Sequence, residues 1–267
     1  MIIDCGIFEK TSGKGSVKGI YLHVGWNPFP TVEHWILRDA PPFLRGRRLL
    51  FATDLHIRRC TSDAYLQQLA ELCAKQEAEL LLLGGDLAED VSAAQRIAQA
   101  LCVQTYPWGI LAVPGNNDVE AFGSAAAFAA AMPFPVLVNQ RMDLPMRGGV
   151  LRIGGIDEMK YGHVDARGLF PRRRGAYDLM LSHYPCVPDF GLGARPRFML
   201  CGHTHGGQMR LGRITPYLLG LERGKIQGIA GLYEKGGIQM LVSPGVGVSK
   251  WPIRLGAAPK IHCIKFC

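Results

Sequence analysis

The sequence predicts an α/β chain built on two β-sheets, and three observations lead to it. Between Arg48 and Ala131, short all-apolar runs alternate with stretches of helical periodicity. Beyond residue 135 a further set of apolar runs is separated by Gly-rich and Pro-rich turns with little helix between them. Of the 267 residues, 48% are apolar, enough to bury a sizeable core.

Residues 1–47 hold short alternations such as Ile20, Leu22 and Val24, followed by Pro28, Pro30, Pro41 and Pro42, and read as edge strands and a loop leading into the core at 48–267. Trp26, Phe29 and Trp35 in this segment suit edge packing, with a lid or a lipid-facing patch as the functional alternative. LLFAT (49–53) is then a buried strand, 63–76 a helix, ELLLL (79–83) a strand, 91–104 a helix, GILAVP (109–114) a strand, and the Ala-rich 120–131 a helix. Each crossover needs a helix to bury its apolar stripe, so this part is expected to be a parallel sheet covered on both faces. The later runs, near 136–139, 150–156, 178–182, 198–201, 238–243 and 261–266, are expected to form a second, mixed sheet packed on the first. There is no internal repeat, and 1–267 is expected to be one domain.

A formal charge of +8 favours an anionic partner without choosing among a phosphate-bearing metabolite, a nucleic acid and an acidic lipid surface. The basic residues lack an aromatic-interleaved stripe, which ranks nucleic acid lowest. The eight cysteines are scattered singly, with no CxxC pair, the pattern of reduced thiols in a cytoplasmic protein. No run of eighteen apolar residues and no signal-like N-terminal core is present, so membrane contact, if any, is expected to be peripheral and at the inner face.

Ligands of α/β sheets collect at the carboxyl ends of strands, and there the chain places a series of donors. Asp54 and His56 lie in TDLH, Asp86 in GGDL, Asn116 in PGNND, His183 in LSHYP, and His203 with His205 in CGHTHGGQ. Each of the first four segments has an ordinary reading: a capping Asp with a surface His, a turn with an N-cap, a self-satisfied Asn, a buried His on a carbonyl. Asp54 and His56 flank one residue, so extended backbone would send both side chains the same way. Asp86, at the mouth of a leucine run, is costly to bury unless paired or coordinated, and Gly84 and Gly85 let the backbone turn tightly beside it. Two imidazoles one residue apart in a glycine turn have no evident structural purpose. Oxygen and imidazole donors with one amide suit a pair of borderline or hard divalent ions and match a thiolate zinc cage poorly. Together the segments point to a two-metal phosphoester hydrolase.

The ordered motifs DxH, GGD, GN with a following acid, a lone H, and GHTHGGQ resemble those of the calcineurin-like metallophosphoesterase superfamily over roughly Arg48 to Cys267. GHTHGGQ and the late SPGVG segment are most similar to its bacterial phosphodiesterase branch, a related member of which cleaves the pyrophosphate of UDP-2,3-diacylglucosamine. The resemblance implies a four-layer αββα sandwich of two mixed β-sheets flanked by helices. It implies one ion at Asp54, His56 and His205, a second at Asn116, His183 and His203, and Asp86 bridging; manganese is the expected metal, with iron and zinc as alternatives. Asp86, Asn116 and His203 would be catalytic. Two ions about 3.5–4 Å apart would generate a bridging hydroxide near neutral pH and clamp the phosphoryl oxygens.

One position departs from the pattern. Where much of the superfamily has GNHD or GNHE, this chain has Gly115-Asn116-Asn117-Asp118, and an amide cannot supply the roughly 10²- to 10⁴-fold that general acid catalysis contributes. A leaving group that needs no proton is then expected, which favours a small phosphodiester or a nucleotide-lipid pyrophosphate. Asn117, Arg58 and Arg59 are the expected substrate contacts, while His163 and the run Arg172–Arg174 read as surface. The competing readings are a catalytically weak scaffold for protein partners and a nuclease; no obligate protein partner is expected.

Overall fold

The computed structural model describes residues 8–11, 20–210, 215 and 228–267; Cys5 lies outside them. Fourteen strands are described: β1 (Phe8–Lys10), β2 (Leu22–Val24), β3 (Thr31–Leu37), β4 (Arg48–Ala52), β5 (Leu80–Leu83), β6 (Ile110–Ala112), β7 (Gln140–Met146), β8 (Gly149–Gly155), β9 (Ala176–Ser182), β10 (Phe198–Cys201), β11 (Gly231–Lys235), β12 (Ile238–Val242), β13 (Ile253–Leu255) and β14 (Lys260–Phe266). Four helices are interspersed, α1 (Asp63–Ala74), α2 (Val91–Leu101), α3 (Asn116–Phe122) and α4 (Ala125–Ala131).

The helices start where side chains can satisfy the first free amides. Ser62 accepts from the Tyr65 amide at the head of α1, and Asp90 from the Ala93 amide at the head of α2. The expected helix over 120–131 is two helices. α3 stops at Gly123, whose φ of 82° is the left-handed conformation that closes a helix, and Ser124 then caps α4.

The first sheet runs β1-β3-β14-β4-β5-β6. β4, β5 and β6 are parallel, as strand–helix alternation requires, but β14 enters antiparallel to β4 and parallel to β3. The sheet is thus mixed, as the family resemblance implies and the strand–helix alternation alone does not. Two expectations are corrected: the last strand belongs to this sheet and not to the second, and β3 is thereby an interior strand where an edge was expected. A run such as IHCIKF, buried on both faces, fits either sheet, and only long-range pairing decides between them.

The second sheet runs β11-β12-β10-β9-β8-β7, with four parallel strands between antiparallel edges. The edges β7 and β11 are polar and half exposed, which hid them in the sequence. The expected strand at 136–139 is reduced to a single bridge, Ala112 to Val136.

Alternation along each strand separates the core into layers. Leu49, Phe51, Leu80, Leu82 and Leu111 face Leu151, Leu179, Leu181, Leu200 and Leu241 of the second sheet. Their neighbours Leu50, Leu81, Leu83 and Ile110 face Leu66, Leu69 and Ile97 of the helices. Helices therefore cover one face of the first sheet, and the second sheet covers the other. Beyond the second sheet, Met180, Met199 and Met240 pack under Phe170 and Phe190, which among the described residues are carried by loops. Each such buried side chain contributes about 1.5–3 kcal/mol relative to exposure. A separate two-stranded ribbon pairs β2 with β13.

Candidate metal centre

The segments following β4, β5, β6, β9 and β10 meet at one end of the two sheets. Four buried side chains, Asp54, His56, Asp86 and His205, bring ligand atoms within 4.8 Å of one another. His56 Nε2 lies 2.9 Å from His205 Nε2, Asp54 Oδ1 3.5 Å from the same His205 nitrogen, and Asp86 Oδ2 3.7 Å from His56 Nε2. A second group shares Asp86. Its Oδ2 lies 3.4 Å from His183 Nε2, which is 3.3 Å from His203 Nδ1, and that nitrogen is 3.1 Å from Asn116 Oδ1. Donors from five segments thus form two adjoining clusters with one carboxylate between them.

The backbone at these positions is bent in a way the sequence did not suggest. Asp54, His56, Asp86, His203 and His205 all have φ between 47° and 70°, the left-handed region that side chains other than glycine seldom occupy. The expectation that Asp54 and His56 project together from extended backbone is therefore corrected: they converge from two left-handed residues. Such strain persists only where the surroundings over-determine it, and here they do. The Asp54 amide donates to Gly85 O and the His56 amide to Asp86 O, locking the β4 turn onto the β5 turn. Gly85 is required, because a Cβ there would stand 2.7 Å from the Gly115 nitrogen and 2.8 Å from His183 Nδ1.

Hydrogen bonds fix the orientation of each donor. Thr53 Oγ1 and the His203 amide donate to Asp54, and the Asn117 amide at the start of α3 donates to Asp86 Oδ1 at 2.8 Å. His183 Nδ1 donates to Gly84 O at 2.8 Å, which turns its Nε2 toward the centre. Glu89 meets His56 Nδ1, the carboxylate–histidine pairing that fixes a ligand's tautomer. Asp118 accepts from the amides of Leu87, Ala88 and Gly115 and so staples the β5 and β6 turns together. Buried Arg254, on β13, reaches the carbonyls of Pro244, Gly247 and Ala257 and lies 3.2 Å from His205 Nδ1.

Burial alone would favour a neutral Asp86, but the charge and hydrogen bond of His183, then His56, hold its carboxyl well below the usual range. The same burial disfavours a charged His183, and the Asp86 carboxylate overrides it, raising the imidazole to about 10. Burial, followed by the His183 charge, pushes His203 down to about 3, and burial followed by His56 and Arg254 pushes His205 well below its ordinary value. Two neutral imidazoles and a carboxylate held ionised are what divalent cations require, and a cation would take over from the His183 proton as the partner of Asp86. The donor set fits two divalent ions.

Of the expected substrate contacts, Arg58 is brought to the rim: its guanidinium donates to Glu89 and to Val248 O and lies 4.4 Å over the Trp26 ring. Arg59 is exposed, with its backbone amide on Asp90 and no contact from its side chain to the clusters among the described residues. Asn117 is engaged within the site. Its Oδ1 accepts from Asn116 Nδ2 at 2.6 Å and its Nδ2 donates to Glu89 at 2.9 Å, so it turns the Asn116 oxygen toward His203. His163 and Arg172–Arg174 are exposed, as expected. Sequence reasoning missed Glu89, Asp118, Arg254 and Tyr184, whose ring stacks on His203 with centroids 3.7 Å apart. The one local signal was the acids at fixed short offsets after GGD and GN.

The sequence profile of the calcineurin-like phosphoesterase family matches residues 47–207, which carry all seven donors. The chain belongs to that family. Among its relatives is YpbG of Bacillus subtilis, 28% identical over 92% of this chain and 88% of that protein. The phosphodiesterase YaeI of Escherichia coli is 26% identical over 92% of this chain and 90% of its own length. The UDP-2,3-diacylglucosamine pyrophosphatase LpxG of Chlamydia muridarum is 22% identical over 87% of each chain. As a calcineurin-like phosphoesterase with a buried Asp/His/Asp/His cluster, the protein is a metal-dependent hydrolase.

Proposed function

We infer that this calcineurin-like phosphoesterase cleaves a phosphodiester or pyrophosphate bond in a small nucleotide-linked or lipid-linked substrate, with manganese as its metal. The observation that carries the reading is Asp86, whose one oxygen lies between two clusters of neutral or neutralisable donors. Asp54, His56 and His205 would hold one ion, Asn116, His183 and His203 the other, with Asp86 shared. When bound, such a pair supplies Lewis-acid activation of water and of the phosphoryl oxygens. Arg58, steadied at the rim by Glu89 and Trp26, would meet a phosphate oxygen. The side chain of Asn117 is an amide engaged by Asn116 and Glu89, and an amide cannot protonate a leaving group as an acid would. That favours leaving groups that depart as stable anions, as in the pyrophosphatase activity named for LpxG. The seven described cysteines are free thiols, which supports a reducing, cytoplasmic setting.

The test is turnover of bis(p-nitrophenyl) phosphate with added manganese, alongside the same assay on Asp86→Ala and His205→Ala. Each variant should lose activity by roughly 10²-fold or more. Equal turnover in wild type and variants would remove the assignment. Purified protein retaining well under about one ion per chain after manganese loading would favour the scaffold reading instead.

A further inference from the structure

The two-stranded ribbon has its hydrophobic pattern turned outward. In an antiparallel pair, directly opposed residues share a face. The register sets Leu22 opposite Leu255 and Val24 opposite Ile253 on one side, and His23 opposite Arg254 on the other. The inward side is the polar one: Arg254 is fully buried against the carbonyls behind His205. The outward side is aliphatic, with Leu22 64% and Val24 72% exposed. Its ends carry Ile20, Trp26 and Trp251, the last 64% exposed. Among the described residues, five of the eleven exposed large apolar side chains thus sit on this ribbon and its ends. A sheet face of this kind in contact with water calls for an occupant.

Charge indicates which occupant. The ribbon is drawn from two stretches, 20–32 and 250–260, that contain no acidic residue, while the second contributes Lys250 and Lys260. Lys250 is exposed beside Trp251. Aliphatic side chains, tryptophans with an amphipathic ring, and an exposed lysine beside them are complementary to an anionic phospholipid surface. A second copy of a chain of formal charge +8 would meet like charge there. We propose that the outward face of the β2–β13 ribbon docks on the surface of anionic phospholipid bilayers. Its inner face is tied to His205 through Arg254 and its end to Arg58 through Trp26, so docking sets the rim of the metal centre beside the headgroups.

The experiment is flotation of the full chain with vesicles of phosphatidylcholine containing about one third phosphatidylglycerol, against phosphatidylcholine alone. Leu22→Gln combined with Val24→Gln tests the face, and Val103→Gln, a 76% exposed residue elsewhere, is the control. Expected are flotation with the anionic vesicles only, a blue shift of tryptophan emission on binding, and a loss of affinity of about tenfold or more in the double variant with the control unchanged. Circular dichroism of the double variant should match wild type, and so should its turnover of bis(p-nitrophenyl) phosphate. If the double variant misfolds, Trp251→Ala alone carries the same expectation. No flotation of wild type, equal flotation of wild type and double variant, or a dimer that the double variant dissociates without any vesicle binding would each overturn the proposal. Vesicle binding is read without turnover, so its failure is distinct from failure of the hydrolase reading.

Discussion

At the scale of single residues, the centre is governed by side chains that touch the donors as much as by the donors themselves. Glu89 holds His56 by its Nδ1 while also engaging Arg58 and Asn117. Glu89→Gln keeps the shape and removes the charge; metal affinity, measured by competition with a chromogenic chelator, should fall about 10- to 100-fold. Asp118 accepts three backbone amides with two oxygens. In Asp118→Asn one of the two oxygens becomes an NH₂ group that opposes an amide donor. The expected cost is about 1–3 kcal/mol, read as a lower urea midpoint at unchanged slope. Neither role was legible beforehand. Both acids follow their motifs by only a few residues, but an acid near a strand end is ordinarily a cap or a solvated charge, and its amide partners come from a different turn.

At the scale of elements, β14 carries the least predictable placement and the clearest pH dependence. His262 is fully buried on this strand, accepting at Nδ1 from Trp35 Nε1 at 3.0 Å and donating from Nε2 to Ser243 Oγ at 2.9 Å. Burial, opposed by the Glu33 carboxylate, pushes its pKa down to about 4. An unfolded histidine titrates near 6.5, so between these values the unfolded chain binds a proton that the folded chain refuses. Stability is unaffected above about pH 6.5 and falls as pH drops toward 4, by up to about 3 kcal/mol from this residue. Urea midpoints of wild type and His262→Gln across that interval should converge as pH falls; parallel curves would show that the residue is not the cause. Helix starts are easier to read: periodicity places the heads of α1 and α2 at 63 and 91, where the structure has them, whereas the break at Gly123–Ser124 is hidden because the flanking alanines continue a helical pattern.

At the scale of the whole molecule, two sheets contribute to one centre, so ion binding should couple to global stability. Ligand that binds only the folded state stabilises by about 2.7 kcal/mol at a hundredfold excess over its dissociation constant. Manganese should accordingly raise the melting temperature of wild type by several degrees, chelation should reverse it, and Asp86→Ala should show little response. A response in the variant equal to that in wild type would place the ions elsewhere.

The sequence alone determined the strand–helix alternation of the first half, the β-rich second half and the choice of seven candidate donors. Those are local facts: apolar periodicity reports what a segment must bury, and glycine-framed donors after apolar runs report where a strand delivers its polar load. The tertiary structure decided which sheet receives β14, which face the helices cover, that the donors' backbones are left-handed, and that Glu89, Arg254 and Tyr184 stand against them. Those depend on pairings between residues far apart in the chain, whose free energy resides in contacts that no single segment contains.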